Sequence, residues 1–265
     1  MNQKRNAPRT PTPKKPKSSS WGKVADWYHE HLSEDTDTYH AKVILPNLLR
    51  LVAPQKGMHI ADIACGEGFF SRAFAAAGAE VFGSDISNEL IAHAKKEALP
   101  NTKFAAAPSH HIPAAASEYF DTAVIVLALQ NIRDLAGTMK EAARLLKKNG
   151  ALYIVLNHPV LRSPGTTSWV WDDAQQKQVR RIDAYLTERE IPIVMHPGKT
   201  GSPSTVSFHR PLQSYIKALV NNGFLIAGME EWISHKQSQP GPRAAAENAA
   251  RKEFPLFLMI KAVRG

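Results

Sequence analysis

The stretch that most constrains this chain is D-I-A-C-G-E-G, Asp62 to Gly68, set between a short apolar run, MHIADI, and a segment, FFSRAFAAAG, with helical spacing. A brief apolar run ending in glycine reads as a buried strand leaving into a tight turn. Gly66 and Gly68 let the backbone turn sharply and come close to a ligand, and the helix beyond presents free N–H groups at its N-terminus. Strand, glycine turn and helix in this order make a binding loop for a nucleotide-like cofactor.

Spacing separates two kinds of cofactor. A dinucleotide loop has the pattern G-x-G-x-x-G, whose third glycine admits close helix packing around a pyrophosphate; here that place is Ser71. The sequence instead puts Asp62 four residues before Gly66, where a carboxylate can order the turn or reach the ammonium of an amino-acid-bearing cofactor such as S-adenosylmethionine. Nineteen residues beyond Gly66, Asp85 ends a second apolar run in GSDIS, where a carboxylate can accept both hydroxyls of a ribose.

The rest of the chain alternates in the same way. Two helical segments, WGKVADWYHEHL and TYHAKVILPNLLRLV, precede the first strand. After it come a helix that Gly78 stops, the strand VFGSDI, a helix capped by Ser87 and ended by Pro100, and a weaker strand, KFAAAP. The strand FDTAVIVLAL follows, then a helix, LAGTMKEAARLLKK, stopping at Asn149 and Gly150, and the strand ALYIVLNH. Such alternation specifies a parallel sheet covered by helices on both faces. The 160–210 stretch breaks the pattern, which returns with the helix PLQSYIKALVNNGF and the strand LIAGMEEWI. The segment SHKQSQPGPRAAAENAARKE reads as a linker before a last strand, FPLFLMIKAV.

The loop DIACGEG, the order of the elements, FDTAVIVLALQNI and the helix ending LLKKNGALYIV together resemble the class I methyltransferases, in particular the branch that includes ubiquinone- and menaquinone-biosynthesis enzymes. The resemblance covers about residues 24–156 and 211–264. It implies an α/β fold with a Rossmann-like, doubly wound, mostly parallel seven-stranded sheet, and S-adenosylmethionine as cofactor. By that similarity Asp62, Cys65, Gly66 and Gly68 surround the methionyl part, while Asp85 and Ile86 hold the ribose and flank the adenine. The family often carries an acidic residue after the third strand to meet the adenine amino group; APSHHIP has Pro108 there, leaving Ser109 or His110 for that contact. Gln130 and Asn131 occupy the place after the fourth strand where relatives line the methionine and the methyl-transfer site.

LALQNI lacks the Asn/Asp-Pro-Pro-aromatic motif common in enzymes that methylate exocyclic amines of bases or protein glutamine, and N-H-P at Asn157 to Pro159 falls one strand too late to be that motif. The single cysteine, Cys65, excludes arsenic-type transfer, intramolecular disulfides and multi-cysteine metal sites. The insertion leaves the sheet at the carboxyl ends of the strands, where open α/β sheets bind ligands, so residues 160–210 are expected to form a substrate lid. It gathers Trp169, Trp171, Tyr185 and Phe208 with Arg162, Arg180, Arg181, His158, His196 and His209, a blend suited to an aromatic or anionic small molecule. His158, Gln130 and Tyr185 are the candidate catalytic residues. Tyr28, Tyr39, Arg162, Trp169, Arg181 and His196 are the candidate substrate contacts. The three histidines have no tight ligand spacing of the kind that builds zinc sites, so no metal is expected.

The formal charge of +9 hints at nucleic acid, but the opening MNQKRNAPRTPTPKKPK alone holds six Lys and Arg and no acid. Rich in Pro, Lys, Ser and Thr, residues 1–20 are expected to be a disordered basic tail ahead of one domain over 21–265. No apolar run is long enough for a membrane-spanning helix, and the first twenty residues hold no apolar signal-peptide core, so a cytoplasmic enzyme acting on a small-molecule acceptor is the expectation. An RNA or protein methyltransferase that uses the basic tail is the alternative, and a catalytically idle cofactor-binding scaffold is the third.

Overall fold

The computed structural model describes residues 21–22, 37–194, 202 and 204–265. The basic tail over 1–20 and most of the first expected helix, with Tyr28 and His196, lie outside them. The second expected helix opens as a five-residue π-turn, His40–Ile44, and continues as α1, Leu45–Val52, with Pro46 in its first turn, where the missing N–H costs no bond. No helix among the described residues is long and apolar enough to cross a membrane.

Five parallel strands follow with their helices: β1 His59–Ile63, α2 Phe69–Ala76, β2 Glu80–Asp85, α3 Asn88–Lys96, β3 Thr102–Ala106, β4 Phe120–Val126, α4 Leu135–Leu145 and β5 Leu146–Asn157. Ser87 caps α3 as its chemistry requires, its Oγ accepting from the Leu90 N–H at 3.2 Å. The helix expected to run to Asn149 stops at Leu145 instead, because Leu146 already pairs with Phe120 of β4. Two antiparallel hairpins fill the insertion, β6 Thr167–Asp172 with β7 Lys177–Ile182 and β8 Arg189–Val194 with β9 Ser204–His209. The chain ends with α5 Leu212–Val220, β10 Phe224–Trp232, α6 Ala244–Glu253 and β11 Phe257–Arg264. Helix α6 lies inside the expected linker; its alanine-rich sequence buries only Ala250 and so shows no apolar stripe.

The seven-stranded sheet runs β3-β2-β1-β4-β5-β11-β10, parallel except for β11, which is antiparallel to both its neighbours. One apolar layer, with Ile63, Ile125, Met139 and Ile154, joins the sheet to α4 and α5. The other, with Leu48, Ile60, Phe74 and Val155, joins it to α1 and α2. Strand order reverses between β1 and β4, and a crevice opens there at the carboxyl ends of the strands, as the rule for such sheets requires.

Candidate active site

The turn from β1 into α2 bounds the crevice. Ala64 and Gly66 take left-handed backbone, at φ +60° and +59°, and the Gly66 N–H donates to Asp85 Oδ2 at 3.0 Å, tying the loop to the end of β2. Asp85 Oδ1 accepts from the Ser87 N–H at 2.9 Å. Backbone donors therefore fix the carboxylate, and Asp85 lines a cleft of about 820 Å³, counted with its open mouth. Burial raises the Asp85 carboxyl above the ordinary carboxylate range, against the backbone N–H groups of Ser87, Gly66 and Ile86.

Asp62 lies deeper. It is 2% exposed and accepts a 2.6 Å hydrogen bond from the Ser71 hydroxyl. Burial, opposed by that bond and reinforced by the nearby charge of Asp85, pushes its carboxyl up to about 7. Ser71, the residue that displaces the third glycine of a dinucleotide loop, is thus the anchor of the first carboxylate. Cys65 lines the cleft beside it; burial, then the charges of Asp62 and Asp85, hold its thiol well above its usual range.

The expected cofactor residues divide between two roles. Asp62, Cys65, Gly66, Asp85 and Ile86 line the cleft, Ile86 with 60% of its surface exposed, and Leu90 and Ile132 add apolar wall. Gly68 does not line it. At φ +85°, a Cβ at Gly68 would sit 3.0 Å from the Phe104 ring, so this glycine serves the packing of α2 on β3. Ser109 is turned away as well, its Oγ 2.9 Å from Thr138 Oγ1 on α4, and gives the cleft no side-chain partner for an adenine amino group.

Gln130 and Asn131 ride on a single 3₁₀ turn, Leu129–Asn131, after β4. The buried Arg210 guanidinium holds this turn by donating to the carbonyls of Leu129, Ile132 and Arg133 at 3.1, 2.9 and 2.8 Å. Gln130 does not reach the cofactor cleft; it lines a second hollow, and Asn131 lines both. His40, Trp21 and Leu127 also border both, while Tyr39, Arg162, Ile193 and Lys236 line the second.

The remaining expected site residues are engaged elsewhere. Both nitrogens of buried His158 are taken: Nδ1 accepts from the Val160 and Leu161 N–H groups at 3.3 and 3.2 Å, and Nε2 lies 2.7 Å from Glu231. It orders the turn after β5, and is not positioned as a base in either hollow. His209 bridges Ser163 Oγ and the Tyr185 carbonyl, and the Tyr185 hydroxyl accepts from the Leu212 N–H at 2.8 Å. Arg181 pairs with Asp183 on the surface, and Trp169 packs on Phe254 and Arg180. The β6–β7 hairpin leans on α6; only β8–β9, through Ile193 and Ser207, walls the second hollow. His40 and Lys236 carry no signal in the sequence because they come from distant segments that only the fold assembles, and Asn157, set aside there as a motif residue, lines the same hollow.

Residues 61–154, which carry the loop, both carboxylates and the turn after β4, match a family described as "Methyltransferase domain". Over this stretch the chain carries a methyltransferase domain, and its fold is similar to that of S-adenosylmethionine-dependent methyltransferases. It is similar to the demethylmenaquinone methyltransferase of Chlorobaculum parvum, 32% identical over 131 residues, or 49% of this chain and 54% of that one. Similarity to the ubiquinone biosynthesis O-methyltransferase of Pelagibacter ubique is 32% over 114 residues, 42% and 46% of the two chains. The chain thus spans about half the length of the curated relatives it matches. A solved S-adenosylmethionine-dependent methyltransferase from Mesorhizobium loti superposes with a TM-score of 0.66 at 26% identity, covering 83% of this chain and 96% of that one.

The residues present fit that cofactor. A carboxylate at the end of β2 faces the cleft for a ribose diol, a buried carboxylate stands by the loop for an ammonium, and apolar wall remains for a purine. Only the acidic partner for the adenine amino group is missing among the described side chains.

Proposed function

We propose that the protein transfers a methyl group from S-adenosylmethionine to a small-molecule acceptor held in the second hollow. The observation that carries this reading is the meeting of the two hollows: Asn131, His40 and Leu127 border both, so a ligand in one abuts a ligand in the other. The curated relatives named for menaquinone and ubiquinone biosynthesis support a small acceptor.

When bound, the cofactor supplies an electrophilic methyl group on a sulfonium. What this chain contributes is alignment and dryness, the main needs of an in-line displacement. Asp85 and the Gly66 turn fix the nucleoside end, and Asp62 places the ammonium. The turn held by Arg210 sets Asn131 at the boundary between the two hollows, where its amide would orient an acceptor toward a methyl donor in the adjoining cleft. An acceptor hydroxyl or amine loses its proton in the process. His40 is the one imidazole among the described residues that borders both hollows, and we assign it that proton when a base is needed, an effect of roughly 10²- to 10⁴-fold. The β8–β9 hairpin acts as the lid.

The test is incubation of the purified full chain with methyl-labelled cofactor and a metabolite extract, followed by identification of the labelled product. Label in a small molecule is expected. Label confined to RNA or protein would overturn the small-molecule reading in favour of a macromolecular acceptor.

A further inference from the structure

Arg162 enters the second hollow from the turn after β5, where its N–H donates to the His158 carbonyl at 2.8 Å. Its guanidinium lies over two aromatic rings, 5.0 Å from the centroid of Phe257 and 5.5 Å from that of Tyr39. Nη1 is buried and has no hydrogen-bond partner among the described residues, and no carboxylate among them pairs with the side chain. Guanidinium groups taken out of water are ordinarily paired, since each buried charge costs several kcal/mol, and stacking on rings offsets only part of that. Burial accordingly lowers its affinity for its proton, with Arg180 nearby adding a second positive charge.

The rest of the wall has a matching bias. Among the described residues lining the hollow there is no aspartate or glutamate, and the one further cation, Lys236, is already paired with Asp37 at 3.3 Å. In the same lining, Gln130 Oε1 is buried without a partner. Its orientation is fixed by its own amide, because Nε2 donates to the Leu127 carbonyl at 2.5 Å and so turns the oxygen the other way. Asn131 Oδ1, at the border with the cofactor cleft, is likewise buried and unpartnered. The hollow's wall thus holds an unpartnered guanidinium nitrogen at Arg162 and unpartnered acceptors at Gln130 and Asn131. Unsatisfied buried groups of both kinds are costly and uncommon in folded proteins.

We propose that the acceptor is a small carboxylic acid that also bears a hydroxyl or amino group, with its carboxylate on Arg162 and its donor group on Gln130 and Asn131 at the edge of the cofactor cleft. This rests on the adjoining cleft holding S-adenosylmethionine. A monoanion matches one unpaired guanidinium, whereas a phosphate dianion would leave a charge unanswered, Lys236 being engaged.

The probes are 3- and 4-hydroxybenzoate, the corresponding hydroxybenzamides and inorganic phosphate, titrated calorimetrically into the full chain saturated with S-adenosylhomocysteine. At least one hydroxybenzoate is expected to bind about tenfold or more tightly than its amide, as a charge-assisted hydrogen bond implies. Arg162→Met should bring the pair to within about twofold, Arg162→Lys should keep part of the preference, and Gln130→Leu should weaken acid and amide alike. The comparison of acid with amide in the wild-type chain needs no variant, so a poorly folded variant leaves the proposal exposed to refutation. Equal binding of acid and amide, no hydroxybenzoate binding at about 10 mM, a preference that survives Arg162→Met, or phosphate binding more tightly than either acid would each overturn it. Loss of S-adenosylhomocysteine affinity in Arg162→Met would also overturn it, by giving the arginine to the cofactor's own carboxylate. If the wild-type chain fails to bind S-adenosylhomocysteine at all, the cofactor reading falls, a result separate from these.

Discussion

Asp62 offers a sharp physical test because its carboxyl is buried, held by the hydroxyl and backbone N–H of Ser71, and raised from 3.8 to about 7. The sign follows from linkage. A raised carboxyl binds more protons in the folded chain than in the unfolded one between those two values, so this group makes stability fall as pH rises from about 4 to about 7. The shift corresponds to about 4 kcal/mol. Asp62→Asn removes the titration and keeps the shape, and Ser71 can turn its hydroxyl to accept from the amide instead of donating. Urea unfolding of the cofactor-free protein should therefore show wild type and variant nearly equal at pH 4, with the variant more stable at pH 8 by up to about 4 kcal/mol. The same pH slope in both proteins would refute the assignment of the buried proton to Asp62.

Three further outcomes follow from the same geometry. If the cofactor ammonium sits by Asp62, binding of S-adenosylhomocysteine must expel that proton, so affinity should fall about tenfold from pH 8 to pH 6 in wild type and stay flat in Asp62→Asn, read by calorimetry. Asp85→Ala should weaken S-adenosylhomocysteine by about 1.5–3 kcal/mol through the lost ribose acceptor, and lower stability by about 1–3 kcal/mol because the Gly66 and Ser87 N–H groups lose their partner, checked by calorimetry and thermal melting. Gly68→Ala should cost about 1–3 kcal/mol of stability, since it forces a side chain to φ +85° against the Phe104 ring, and an unchanged melting temperature would place the turn's strain elsewhere.

What the sequence made legible is what local chemistry determines. The DIACGEG turn needs its glycines for backbone geometry, Ser87 needs only its own helix to be a cap, and Asp85 follows from the length of one crossover. Alternation of apolar runs gave the parallel half of the sheet for the same reason. Legibility ended where a residue's role depends on distant partners. His158 stands at the end of a central strand, as a catalytic group might, yet Glu231, 73 residues on, and two backbone amides occupy its nitrogens. Ser109 is spent on Thr138, and Tyr185 with His209 on closing the insertion. Helix α6 escaped notice because alanines that bury almost nothing leave no periodic stripe. Arg162 was visible as a basic residue in the insertion, but its unpaired state emerges only when the sheet brings Phe257 and Tyr39 beneath it.

The most direct test of the central claim is a calorimetric titration of the full chain with S-adenosylhomocysteine and, separately, with NAD. Saturable one-to-one binding of S-adenosylhomocysteine, weakened in Asp85→Ala, with no response to NAD, is the expected result. Tight NAD binding with no heat from S-adenosylhomocysteine would contradict the assignment of the β1–β2 cleft, and with it the methyl-transfer reading.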